Sequence, residues 1–155
     1  MIRPAAADDV PTILRFVREL ALFEREPDAV EATEATLREA LFGTRPAAEA
    51  VIAEQDEAVG FALFFHNFST WTGKRGLYLE DLYVTPAARG QGVGKALLRH
   101  LAAIAVARDC ARFEWSVLDW NADAIVFYRA MGATGQDEWT IQRVAGDALV
   151  RLAAG

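Results

Sequence analysis

Arg89-Gly90-Gln91-Gly92-Val93-Gly94-Lys95-Ala96-Leu97-Leu98 follows an extended apolar run, Leu77 to Val84, and leads directly into a helical pattern. Three glycines at alternate positions strip the side chains from one tight turn. Without Cβ atoms the backbone bends freely and can approach a ligand closely. The helix that follows leaves its first N–H groups without internal partners, and its dipole places partial positive charge there. A strand, a glycine turn and a helix N-terminus in that order form a seat for a phosphate or pyrophosphate.

The spacing sets two common phosphate binders aside. A dinucleotide fold uses G-x-G-x-x-G early in a β-α-β unit, with an acidic residue about 20 positions later. Here the glycines run G-x-G-x-G and fall in the second half of the chain. A nucleotide P-loop needs a four-residue spacer and a hydroxyl after its lysine. Gly90 to Lys95 has neither. A turn that merely joins a strand to a helix is the bland reading, and R-G-x-G-x-G-x-x-L-L is more specific than that.

Working outward, the pattern predicts a strand over Met1 to Ala5. A helix capped by Asp8 or Asp9 follows, with an apolar face of Val10, Ile13, Leu14, Val17, Leu20 and Ala21. Phe23 to Ala32 is acidic and irregular, and Thr33 or Thr36 opens a short helix to Phe42. Strands follow over Ala50–Ala53, Ala58–Phe68 and Leu77–Val84. In the last, strict alternation puts Leu77, Leu79, Asp81 and Tyr83 on one face and Tyr78, Glu80, Leu82 and Val84 on the other. The helix after Gly92 turns Val93, Leu97, Leu101, Ile104 and Ala105 inward. Arg112 to Leu118 reads as a strand, Asn121 to Met131 as a helix stopped by Gly132, and Thr134 to Leu152 as two final strands. The expected architecture is one α/β domain over residues 1–155: a mixed, mostly antiparallel twisted sheet flanked by helices.

The glycine segment resembles the acetyl-CoA-binding motif of the GCN5-related N-acetyltransferase superfamily. Further stretches fall in the order seen in its diamine (spermidine/spermine) and thialysine acetyltransferases. These are Arg3-Pro4-Ala5, Glu19-Leu20-Ala21, Phe23-Glu24, Trp71-x-Gly73-Lys74, Leu77 to Asp81, Trp120-Asn121, Phe127-Tyr128 and Gly132-Ala133. The similarity covers roughly Met1 to Leu152. Ser69-Thr70-Trp71 and Val117 to Asn121 look more like the thialysine branch.

This resemblance implies acetyl-CoA as co-substrate. Leu82, Tyr83 and Val84 would lend backbone groups to the pantetheine arm, as an added strand does. Arg89, Gly90, Gln91, Gly92, Val93, Gly94 and Lys95 would hold the pyrophosphate. Asn121, Ala124 and Tyr128 would line the cofactor farther along. It also implies a homodimer.

Bulk properties fit an enzyme of this kind. In 155 residues, 53% are hydrophobic and 25% charged, which is a globular composition. The net charge of −6 opposes nucleic-acid binding, which needs a basic face, and would suit a cationic partner. No apolar run approaches a membrane span, and the start of the chain lacks a signal-peptide core. With the single cysteine, Cys110, this leads to the expectation of a cytoplasmic protein without membrane partners. Cys110 reads as a small apolar core residue. His66 and His100 are too isolated for a metal site.

Acetylating an amine poses an electrostatic problem. An alkylammonium with a pKa near 10.4 has no lone pair at neutral pH, and removing its proton costs roughly 4 kcal/mol. Glu80, an ionisable residue in an apolar strand beside Asp81, is the candidate base. Burial beside a second carboxylate would raise one of the two pKa values. A strand-end charge pair is the structural alternative. Tyr128 is the candidate acid, since a phenol can return a proton to a leaving thiolate. A core aromatic is its alternative reading.

The resemblance implies that Phe23, Glu24, Glu80, Asp81, Glu114, Trp115 and Ser116 map onto the relatives' amine-binding positions, where they would form an acidic-aromatic groove. Ser69 stands where the polyamine enzymes carry an acid. That favours a thialysine-like amino acid over a long polyamine. The expected activity is acetyl transfer to a primary amine by direct attack in a ternary complex. A protein or peptide amine acetyltransferase, or a non-catalytic acyl-CoA sensor, would be the alternatives.

Overall fold

A computed structural model describes all residues, 1–155. The chain divides into two compact units, Met1–Ser116 and Val117–Gly155.

The first unit is built on one five-stranded sheet in the order β1-β2-β3-β4-β5. The strands are β1 (Ile2–Pro4), β2 (Glu49–Glu54), β3 (Ala58–Ser69), β4 (Lys74–Val84) and β5 (Phe113–Glu114). The first four are antiparallel neighbours, and β5 joins β4 in parallel. The mixed, mostly antiparallel sheet of the sequence reading is therefore present.

One face of the sheet carries Ala50, Ile52, Phe61 and Tyr83. It packs against Ile13 and Phe16 of α1 (Val10–Phe23) and Leu41 of α2 (Glu34–Phe42). Phe16 is fully buried at its centre, 5.7 Å from the Phe61 ring and 5.5 Å from that of Tyr83. The predicted helix face omitted Phe16, and the half-buried Val17, Leu20 and Ala21 lie at its edge. The opposite sheet face, with Phe64, Leu77 and Leu79, is covered by α3 (Val93–Ala107) through Leu97, Leu98, Leu101 and Ala105.

The alternation expected in β4 is broken. Leu63 pairs with Asp81 and Phe64 with Leu79, so Glu80 is the extra residue of a β-bulge. A bulge moves all later side chains to the other face. Tyr78, Asp81 and Tyr83 therefore share the α1 face, while Leu77 and Leu79 keep the α3 face.

The bulge also marks where β5 stops. β5 pairs only with Leu77 and Tyr78, directly before it. Bulges bend and twist the strand that carries them, although β3 stays paired with β4 on both sides of this one. The predicted strand Arg112–Leu118 is reduced to two residues. The edge of β4 from Leu82 to Val84 has no strand beside it.

In the second unit, Asn121 caps α4 (Ala122–Ala130) by accepting from the Ala124 N–H at 3.3 Å. Gly132 follows with φ +96°, which a Cβ would oppose. The two final strands are absent. Residues 133–145 lack regular structure, and α5 spans Gly146–Ala154. Ala148, Leu149, Arg151, Leu152, Ala153 and Ala154 are strong helix formers, and Val150 is the one β-branched residue among them, so helical propensity prevails.

Candidate functional site

The glycine turn is built as the sequence requires. Gly90 and Gly92 have φ of +76° and +81°, a region that L side chains rarely enter, and each faces open space. Gly92 is the N-cap of α3 and offers no side chain to its first N–H groups. Those donors and the helix dipole point out of the turn together. Gly94 lies inside the first turn of α3. Val93 is half-buried and Lys95 exposed.

Gln91 has a role the sequence did not disclose. Its amide donates to the Ala87 carbonyl at 3.0 Å and accepts from Gln55 at 3.1 Å, bracing the turn against the β2–β3 hairpin. Arg89 is also engaged. Its Nε donates to the Val84 carbonyl at 3.0 Å, and its guanidinium lies 5.4 Å from the Phe23 ring centre and 5.7 Å from that of Tyr83.

Along β4, the Thr85 N–H is bonded to Val59 of β3, so the Val84 carbonyl points to the unpaired edge. Leu82, Tyr83 and Val84 thus lie on a backbone edge with no strand beside it, its Val84 carbonyl engaged by Arg89, that leads into the turn. An extended amide-bearing arm could add to this edge as another strand, so the residues present fit an acyl-CoA.

The acidic side is assembled by tertiary structure. Glu24 terminates α1, and its carboxyl is raised by burial and by the charge of Glu80. Asp81 is pushed up to about 6, first by burial and then by the charges of Glu80 and Glu24. The expectation that one of the adjacent pair would be raised is met, and Asp81 is the one. Glu80 is extruded by the bulge into solvent, while Asp81 turns onto the half-buried α1 face. Nothing in the sequence marks that bulge, which contains no glycine.

Tyr83 is buried among aromatics, and its hydroxyl donates to Glu19 at 2.6 Å. Burial, then this carboxylate, pushes the phenol up to about 12. Farther along the sheet, Tyr78 and Ser116 share a hydrogen bond of 2.9 Å. Glu114 pairs with Tyr78 across the β4–β5 ladder, and the Trp115 ring lies 4.9 Å from Phe113. Ser69 accepts from the Trp71 N–H at 3.2 Å and so shapes the β3–β4 turn.

Asn121, Ala124 and Tyr128 belong to the second unit. Tyr128 is half-buried on α4, its ring 5.5 Å from that of Phe127.

His66 is not isolated. Its Nδ1 donates to the Gly76 carbonyl at 2.9 Å, and its Nε2 accepts from Arg108, which also grips Glu49. Cys110 Sγ lies 3.8 Å from Nδ1, a nitrogen that already carries the proton. This arrangement ties β2, β3 and α3 together and offers the thiol no base. No group of His, Cys, Asp and Glu could hold a metal ion.

The geometry comprises an uncapped glycine turn, an open strand edge leading to it and a carboxylate cluster beside that strand. The family model described as Acetyltransferase (GNAT) family matches residues 14–133. The thialysine N-epsilon-acetyltransferase of Sus scrofa is 39% identical, over 99% of this chain and 96% of its own length. The L-ornithine N5-acetyltransferase of Arabidopsis thaliana is 32% identical, over 96% and 85%. Among solved structures, an integron cassette protein from the mobile metagenome of V. cholerae superposes with a TM-score of 0.82 at 28% identity, over 100% of this chain and 98% of its own. A family match across most of the chain, on a sheet whose open edge and glycine turn have the form that acyl-CoA chemistry needs, makes this chain a member of the GNAT acetyltransferase family.

Proposed function

We propose that this acetyltransferase acts from acetyl-CoA on the distal primary amine of a small cationic substrate, by direct attack in a ternary complex. A thialysine-like amino acid is preferred over a long polyamine. The observation that carries this reading is the carboxylate cluster of Glu24, Glu80 and Asp81 beside the open edge of β4. A site that merely sensed an acyl-CoA would gain nothing from holding three like charges together.

The roles follow from the surroundings of each residue. Glu24 and Phe23 at the end of α1 attract the ammonium by charge and by the face of a ring. Glu80, exposed at the bulge, meets it first, and Glu80 and Asp81 together accept its proton. A carboxyl raised to about 6 is better matched to this task at neutral pH than an ordinary aspartate.

Bound acetyl-CoA would supply the thioester carbonyl. Leu82 to Val84 would align its arm, the turn from Arg89 to Lys95 its pyrophosphate, and Asn121 and Ala124 the rest. Tyr128 would return a proton to the departing sulfur. We propose further that the two units work as one domain, and that the protein is a cytoplasmic homodimer. Exposed Ile141, Val144, Leu149 and Leu152 near the C-terminus support a covering partner.

Thiol release across thialysine, lysine, ornithine, spermidine and spermine tests the substrate. The expected result is a higher kcat/KM for thialysine than for spermine, and a spermine-preferring enzyme would refute it. Tyr128→Phe keeps the ring and removes the proton. Turnover should fall by about 10² to 10⁴ with acetyl-CoA affinity unchanged. Near-normal turnover would reduce Tyr128 to packing, once a burst experiment shows that chemistry limits the rate.

A further inference from the structure

Arg89 occupies a place that the phosphate reading alone does not explain. Its Nε is bound to the Val84 carbonyl, on the edge where an acyl-CoA arm would lie. Its guanidinium rests against Tyr83 and against Phe23, the last residue of α1. The next residue, Glu24, belongs to the carboxylate cluster. One side chain thus spans the cofactor edge and the amine-binding end of α1.

The end of that helix carries one strained residue. Arg25 has φ +66°, an unfavoured region for a side-chain-bearing residue. The helix stops through bonds from the Glu24, Arg25 and Glu26 N–H groups to Leu20, Leu22 and Ala21. Phe23 is 45% exposed.

We propose that Arg89 is a positioning residue that couples the two half-sites. With its Nε on Val84 and its guanidinium beside the Phe23 ring, its terminal amino groups can reach a phosphate oxygen. A phosphate there immobilises the guanidinium, which in turn orders Phe23 and Glu24 for the amine. Coupling of this kind is reciprocal, so each substrate tightens the other. The inference rests on the acyl-CoA reading of the turn and adds to it the side chain that would carry the coupling.

Hydrogen exchange with CoA alone as the probe separates the two claims. In the wild type, CoA should slow exchange both at residues 89–95 and at the Glu24, Arg25 and Glu26 amides. In Arg89→Lys, which keeps the charge but loses the planar fork, and in Phe23→Leu, the turn should remain protected while the α1 end is not. Protection of the turn alone in the wild type would overturn the coupling and leave the cofactor reading intact. Protection at neither place would overturn both.

Kinetics give the second readout. Both variants should raise the KM for the amine at least 5-fold at saturating acetyl-CoA, and the double variant should be no worse than the weaker single one. An effect of Arg89→Lys confined to the KM for acetyl-CoA would reduce Arg89 to a phosphate ligand.

Discussion

Two groups of carboxylates in the first unit are made of the same residue types and titrate in opposite directions. At the start of the sheet, Arg3 binds Asp9 at 2.7 and 2.9 Å and Glu54 at 2.7 Å. The Arg3 hydrogen bonds hold both carboxyls below their ordinary range, and the Ala6 N–H adds to the effect on Asp9. Around the bulge of β4, burial and mutual repulsion hold Asp81 and Glu24 above theirs. A guanidinium fork converts acids into structural ties. The same acids gathered with no cation among them become a stored demand for positive charge. An incoming ammonium would satisfy that demand, so the proposed function assigns the second group to chemistry and the first to the fold.

The largest expected effect tests this division. Glu80→Gln should lower kcat by about 10² to 10⁴, the range for general base catalysis, with thermal stability kept. Asp9→Asn should leave kcat/KM unchanged. A Glu80→Gln enzyme of normal turnover would make the bulge a structural feature only.

The pH dependence of stability should separate the groups next. Asp81 has a raised pKa in the folded state, so the fold takes up a proton that the unfolded chain would not hold. Stability from this site therefore grows as pH falls from above 6 toward 4. Asp9 has a lowered pKa, so its contribution is present above about pH 4 and is lost as pH falls further. The melting temperature should pass through a maximum between them. Asp81→Asn should flatten the rise between pH 7 and 5, by at most about 1.4 kcal/mol, because only about one pH unit of that window lies below the raised value. An unchanged pH profile in that variant would show that Asp81 is solvated.

Asp9→Ala should cost about 2 kcal/mol in denaturant unfolding at pH 7, because it removes charge-assisted bonds to Arg3 and the acceptor of the Ala6 N–H. A loss below about 0.5 kcal/mol would place the tie among ordinary surface ion pairs.

The smallest effect concerns substrate choice. Ser69→Asp keeps an acceptor for the Trp71 N–H while adding one anion. It should narrow the thialysine-over-spermine ratio by roughly 1 kcal/mol. Lys74, the cross-strand neighbour of Ser69, would damp the change although Asp109 already engages it. A ratio that does not move would place this turn away from the amine path.

Periodicity and spacing located α1, α2, α3 and α4 to within a few residues, because each has a start or stop signal. Thr33 caps α2, Gly92 opens α3, Asn121 caps α4 and Gly132 ends it. The same reasoning failed in the tail, where residues 134–152 were given strands and α5 formed instead. A short apolar run fits either pattern, and the Ala- and Leu-rich composition carried more weight than the expected ladder. The candidate site was legible where function demands unusual residue types, as with the glycines and the acids in an apolar strand. It was not legible where a common residue acquires its role from neighbours, as with Gln91, Glu19, His66 and Phe16.

The sequence by itself determined the glycine turn proposed to seat a phosphate. A positive φ at Gly90 and Gly92 and an uncapped helix start are local properties, written into adjacent residues. It also determined that acids would stand beside that seat. Only the tertiary structure decided which acid is buried. A single extra residue in β4, measured against the register of β3, puts Glu80 in water and turns Asp81 toward α1 and Glu24, which is 57 positions earlier in the chain. Register is a relation between strands, and the field at a carboxyl is a sum over neighbours from distant segments, so neither can be read along one segment alone.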